Sequence, residues 1–284
     1  MIMEGILKNW KGFINEGFTG KGTPDLKYYA FDWDDNIVQM PTKIILLDTE
    51  GNEVGMTTKD FAEYRTEIGK VEFNYEGYTI KDYAPNPFKN FRVEGDSQFL
   101  VDIESATPLE KRSFKDFREC VEGASIFAII TARGHNPDTL KEACKKYIMT
   151  GFGGINTEKV IQSIKKYNDL YEISSESNPS SLVDSYLKLC RFYPVTFGQG
   201  IAANPEELKV ISLKEFVSYV KQEAQRVGKF AEKGTKMSIG FSDDDKKNIE
   251  VMISKFGSRD PRGKFIAGRP QSLRIMHKQE EENG

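Results

Sequence analysis

Histidine and cysteine are scarce in this chain. Its 284 residues include two histidines, His135 and His277, and three cysteines, Cys120, Cys144 and Cys190. Two histidines exclude a histidine-rich metal centre, so any metal has to be held mainly by oxygen. Three widely spaced cysteines form neither a zinc spacing nor a disulfide framework. They are expected as reduced thiols of a cytoplasmic protein. An excess of charge is also missing: 40 basic residues face 43 acidic ones, a net charge of −3. Nucleic-acid binders usually show a basic excess, so nucleic acid is not the favoured partner. Long apolar runs are absent too. The N-terminal MIMEGILKNWKGFINEGF is broken by charges, and neither a signal peptide nor a membrane span is expected. Hydrophobic residues still make up 38% of the chain and charged ones 29%, which permits a globular core and argues against wholesale disorder.

The most informative stretch is KYYAFDWDDNIVQM, Lys27 to Met40. Tyr28, Tyr29, Ala30 and Phe31 form an apolar, β-prone run. A short continuous run of this kind predicts a buried strand of a parallel sheet. Asp32, Asp34 and Asp35 follow it directly. The carboxyl ends of strands are where open α/β sheets bind ligands. Three acids crowded there repel one another unless a cation neutralises them.

The same pattern of apolar strand and polar end recurs twice. Ser125–Ile130 (SIFAII) runs into Thr131-Ala132-Arg133-Gly134-His135, and a helix is expected over Asp138–Tyr147. Met237–Phe241 runs into Ser242-Asp243-Asp244-Asp245, with a helix from Lys247 onward. A hydroxyl and a helix N-terminus at a strand end can both donate to a phosphate. Between them lie a helix over Pro108–Val121, interrupted helix over 154–192, a strand at Tyr193–Phe197 and helix over Pro205–Gln225. A serine-rich piece at 174–181 reads as a linker or helix cap. GFTGKGTP in the lead-in 1–24 fails the P-loop pattern, because Lys21 is followed by glycine. Residues 41–107 are too long for a simple connection. They open with a predicted hairpin, Thr42–Asp48 with Val54–Thr58, and a helix over Lys59–Ile68. Short strands and loops are expected over 69–105, and loop and tail after Ser258.

Strand ends of one polarity share one rim of a parallel sheet, so Asp32, Asp34, Thr131, Asp243 and Asp244 can converge. These motifs, FDWDDNI, FAIITARG and IGFSDDD, resemble those of the haloacid-dehalogenase-like superfamily of phosphohydrolases. The resemblance implies a Rossmann-like three-layer α/β/α sandwich with a parallel central sheet, built from 1–40 and 108–284. It implies that 41–107 are a flap hairpin and an inserted α+β cap of the C1 type. Carried over by position, Asp32 is the nucleophile and Asp34 the general acid/base. Thr131 binds the phosphoryl group, as does a lysine, for which Lys214 is the choice and Lys209 the runner-up. Asp243 and Asp244, with Asp32 and the carbonyl of Asp34, hold Mg²⁺; Asp245 leaves open which two acids ligate. Arg133 and His135 are candidate substrate contacts. Two positions depart from the pattern: Asp35 stands where glycine is usual and Asn36 where threonine or valine is usual.

The expected activity is Mg²⁺-dependent hydrolysis of a small phosphorylated metabolite or nucleotide. A polynucleotide 3′-phosphatase is a second reading, disfavoured by the balanced charge and the lack of an obvious basic helix. A non-catalytic binding protein on the same fold is a third. A response-regulator receiver fits poorly, because the insertion is large and the acidic pair comes late.

Overall fold

A computed structural model of the chain describes residues 25–166, 178–199, 204–226, 236–256 and 273–278. The lead-in 1–24, the first half of the serine-rich piece and the loop expected after Ser258 lie outside them. In chain order, β1 (Asp25–Phe31) is followed by a two-residue strand β2 (Val38–Gln39), then β3 (Ile44–Asp48), β4 (Glu53–Met56) and α1 (Thr58–Tyr64). Next come β5 (Phe73–Tyr75), β6 (Tyr78–Tyr83), α2 (Asp96–Ser105) and β7 (Thr107–Pro108). The remainder is α3 (Arg112–Glu122), β8 (Phe127–Thr131), α4 (Pro137–Thr150), α5 (Thr157–Lys166), α6 (Pro179–Leu189), β9 (Arg191–Pro194), α7 (Pro205–Arg226), β10 (Lys236–Ser242), α8 (Lys246–Phe256) and β11 (Leu273–Lys278).

This is an α/β fold. Its five-stranded sheet has the order β11-β10-β1-β8-β9, and β1, β8, β9 and β10 are mutually parallel. All five residues of β8 are buried, as its unbroken apolar run predicts. Asn136 caps α4, accepting from the Asp138 amide at 2.9 Å, and Pro137 follows at the first helical position. From β1 the chain moves outward to β8 and β9, then returns through α7 to β10 on the other side of β1. Strand order therefore reverses between β1 and β10, which makes their carboxyl ends a topological switch point. Helices α4, α5 and α6 pack together, with α3 against α5, while α7 packs with α8.

The insertion leaves and rejoins this core through one antiparallel ribbon, β2 with β7. Between them stands a second sheet, β4-β3-β6-β5, entirely antiparallel. It has its own small core around Ile44, Leu46, Val54, Met56, Ile80 and Phe91. Helix α2 belongs elsewhere: Phe99 and Ile103, one helical turn apart, are buried in the main core.

Three expectations need correction. Residues 96–105 form a helix rather than strand and loop, because docking on the main core rewards the spacing of Phe99 and Ile103. The third core strand is Arg191–Pro194 rather than Tyr193–Phe197, since Val195–Gly198 turn. The stretch 273–278, read as tail, is strand β11, antiparallel to β10. No described helix is long and apolar enough to cross a membrane.

Candidate functional site

Registers set the site. Phe31 pairs with Ser242 and with Ile129, so Asp32 emerges beside Asp243 and the end of β8 lies on the other flank. The Asp32 amide donates to the Ser242 carbonyl at 2.9 Å, carrying the pairing one residue past the strands. Extended backbone alternates its side chains. Accordingly Asp32 and Asp34 both line the cleft, while Trp33 is fully buried and stacks on Tyr147. Asn36 ties the two strand ends together: its Nδ2 donates to the Asp32 carbonyl at 3.1 Å and to Ser242 Oγ at 2.9 Å. Asp35 has φ 55°, the left-handed region that glycine adopts most readily and aspartate tolerates. A glycine would take this backbone at no cost, and aspartate is among the few other residues that tolerate it.

Asp32, Asp243 and Asp244 each offer a carboxylate oxygen, and these oxygens lie within 4.8 Å of one another. Lys209 is buried between two of them, its Nζ 2.7 Å from Asp243 Oδ2 and 3.1 Å from Asp32 Oδ1. Asp243 is well supplied with donors. Asn248 Nδ2 lies 3.0 Å from both its oxygens, and the Asp245 amide donates to Oδ1 at 3.0 Å. Asp32 Oδ1 is different. It is buried, and only the charge of Lys209 faces it, without hydrogen-bond geometry. Burial raises the Asp32 pKa well above the usual carboxylate range; Lys209 opposes this, while Asp243, Asp244 and Asp34 add to it. Asp244 is pushed up to about 7, by burial first and by Asp243 second. For Lys209, burial favours the neutral amine, but Asp243 and Asp32 outweigh it and keep the ammonium charged. Three carboxylates this close, with one Asp32 oxygen buried and unbonded, offer hard oxygen donors to a divalent cation.

The lysine expected at the site was Lys214, and the structure replaces it with Lys209. Helix α7 begins at Pro205, so Lys209 is in its first turns and points at the strand ends. Lys214 is five residues on, about 140° around the helix, and is exposed. Asp245 stands outside the cluster: its Oδ1 caps the Lys247 amide at 2.9 Å and its Oδ2 faces Arg65 at 3.5 Å. Thr131, at the end of β8, is buried and lines the same cleft.

Arg133 is almost fully buried and holds Asp34 with two parallel hydrogen bonds of 2.7 Å each. Its guanidinium lies between the rings of Phe91 and Phe99, at 4.5 and 4.8 Å. It also donates to Thr42 Oγ1 at 3.1 Å and faces His135 Nε2 at 3.0 Å. Arginine can only donate, so Nε2 accepts. Nδ1 then carries the proton and donates to Asp96 at 2.9 Å. Burial and the Arg133 charge push His135 down to about 4, against Asp96, which keeps the ring neutral. His135 is fully buried behind Arg133, so it braces the loop and is withdrawn as a substrate contact.

The site lies at the bottom of a cleft of about 350 Å³ between the sheet rim and the insertion. Sequence reasoning missed Asn248 and Asp96, and took Asn36 only as a departure from the motif. Asn248 alone had a local signal, since it follows Asp244 by one helical turn. No protein-family model, curated protein or solved structure matches the chain.

Proposed function

We propose that this protein is a Mg²⁺-dependent phosphomonoester hydrolase with a core of the haloacid-dehalogenase-like kind, its helices covering both faces of the sheet and residues 41–107 serving as flap and cap. One observation carries this reading. Three carboxylates cluster at the switch point, a buried lysine pairs with two of them, and a threonine hydroxyl lies on the adjoining strand end. That combination suits a transferring phosphoryl group better than any neutral substrate.

Asp32 is the nucleophile: its carboxylate attacks phosphorus, giving an aspartyl-phosphate and releasing the alcohol. Asp34 gives a proton to the departing oxygen and then takes one from the hydrolytic water. Both Asp34 oxygens now accept from Arg133, so as substrate enters one of those bonds gives way and the freed oxygen takes up, from the phosphate monoanion or solvent, the proton that Asp34 then passes to the leaving oxygen. Lys209 and Thr131 hold the phosphoryl oxygens as charge builds on them. Asp32, Asp243, Asp244 and the Asp34 carbonyl would hold Mg²⁺, which neutralises the crowded acids and lets an anionic phosphate approach.

The test is phosphate release from a panel of phosphomonoesters with and without Mg²⁺. Release that needs Mg²⁺ supports the reading. No release from any member, with Mg²⁺ bound, contradicts it and favours a binding protein.

A further inference from the structure

The insertion brings aromatic rings to the lining of the cleft. Tyr83, Phe61, Phe88 and Phe91 form a continuous series: Phe61 stands edge-on to Tyr83 at 6.3 Å and to Phe88 at 5.7 Å, and Phe88 edge-on to Phe91 at 6.4 Å. Phe61, Phe88 and Phe91, with Ile44, line the cleft. All belong to the insertion. The series ends at the chemistry, because Phe91 carries Arg133 on its face and Arg133 holds Asp34.

Several polar groups of the cleft away from the phosphoryl end already have a partner within the protein. Thr58 bonds to Asp35. Arg65 faces Asp245 at 3.5 Å, and Arg92 donates to the Thr196 carbonyl at 2.8 Å. Thr196 Oγ1 donates to the Ala132 carbonyl at 2.8 Å, and Glu206 accepts from Lys247 at 2.6 Å. A polyhydroxylated body would lose water here and have to share or displace these existing bonds. A flat ring loses little water and extends a herringbone that is already present.

From these rings, and resting on the hydrolase reading, we infer that the substrate is a phosphomonoester of a planar heteroaromatic compound, with its ring against Phe61 and Phe88 and its phosphate on Asp32. Nucleoside 5′-monophosphates are suitable probes. Ribose 5-phosphate is the matched control, because it keeps the same primary leaving group and lacks only the base.

Two measurements test this. The first is kcat/KM of the wild type with Mg²⁺ for AMP and for ribose 5-phosphate. The expected preference for AMP is at least about tenfold, the scale of one base stacked on an aromatic side chain. Phe88→Leu keeps the apolar volume but not the ring, and should bring the ratio towards one; Phe88→Trp should restore it. The second is calorimetric binding of the same two compounds to Asp32→Asn with Mg²⁺, which needs no turnover. AMP should bind at least about tenfold more tightly. Equal affinities, or a preference for ribose 5-phosphate, overturn the inference whatever the kinetics show. Tighter AMP binding in a protein whose wild type releases no phosphate upholds the inference and overturns the hydrolase reading alone.

Discussion

Lys209 and Lys214 share one helix and face different surroundings, which makes them a matched pair for mutation. Lys209→Met leaves Asp32 and Asp243 buried without their cation. A loss of about 3–5 kcal/mol is expected in chemical denaturation, together with loss of phosphate release. Lys214→Met, on the exposed face, should change stability by no more than about 0.5 kcal/mol. Arg133→Gln tests the clamp on Asp34. Hydrolysis of an alkyl phosphate, whose leaving oxygen must be protonated, should fall about 100-fold. Nitrophenyl phosphate, with a leaving group that needs no proton, should fall far less; an equal fall in both would deny Asp34 the acid role. At this scale the carboxylates were legible because a strand end fixes where its next residue goes, and Thr131 was legible for the same reason. The lysine was not. Which lysine of a helix faces the sheet depends on how packing rotates the helix about its axis, and the helix expected over Pro205–Gln225 does not by itself fix that rotation. The Arg133–Asp34 and His135–Asp96 pairs join residues 99 and 39 positions apart, and no local pattern announces them.

The elements that matter most are the loop after β8 and the part of the insertion that docks on it. The Gly134 amide donates to the Phe91 carbonyl at 2.7 Å, and Arg92 bridges to Gly134. A Cβ on Gly134 would sit 2.8 Å from Thr196 Oγ1 and 3.0 Å from the Arg92 side chain. Gly134→Ala should therefore push the insertion off the core and cost about 1–3 kcal/mol. It should also lower phosphate release through the displaced Arg133; unchanged activity would mean the joint does not set the site. The central strands were legible because burial on both faces leaves an unbroken apolar run. Helix α2 was not legible, because its short stretch mixes Phe99, Leu100, Val101 and Ile103 with acids, and only docking on the main core selects the helix. Strand β11 was missed because LRIMHK alternates weakly and its partner β10 lies more than thirty residues earlier in the chain.

For the whole molecule, the crowded acids set how stability responds to pH and to metal. Asp244 titrates near 7 in the folded state, whereas an unfolded aspartate titrates near 4. With metal chelated, the folded protein therefore takes up protons that the unfolded chain does not as pH falls below about 8, and Asp32 acts in the same direction. His135 acts oppositely, since the unfolded ring charges around pH 6.5, with about half the effect in place there, while the buried one, near 4, does not. Metal-free protein should gain on the order of 1 kcal/mol between pH 8.5 and 6.5, a rise of a few degrees in Tm. Asp244→Asn should flatten the rise; a metal-free Tm that falls over this interval would contradict the crowding. The central claim is that Asp32 receives a phosphoryl group beside Mg²⁺, and a phosphoryl analogue tests it without knowledge of the substrate. The measurement is the Tm of wild type and Asp32→Asn with Mg²⁺ and beryllium trifluoride, which binds aspartate carboxylates as a phosphoryl group does. A rise in the wild type that requires both components and is absent in Asp32→Asn is the predicted result. No rise in the wild type, or an equal rise in Asp32→Asn, would contradict it.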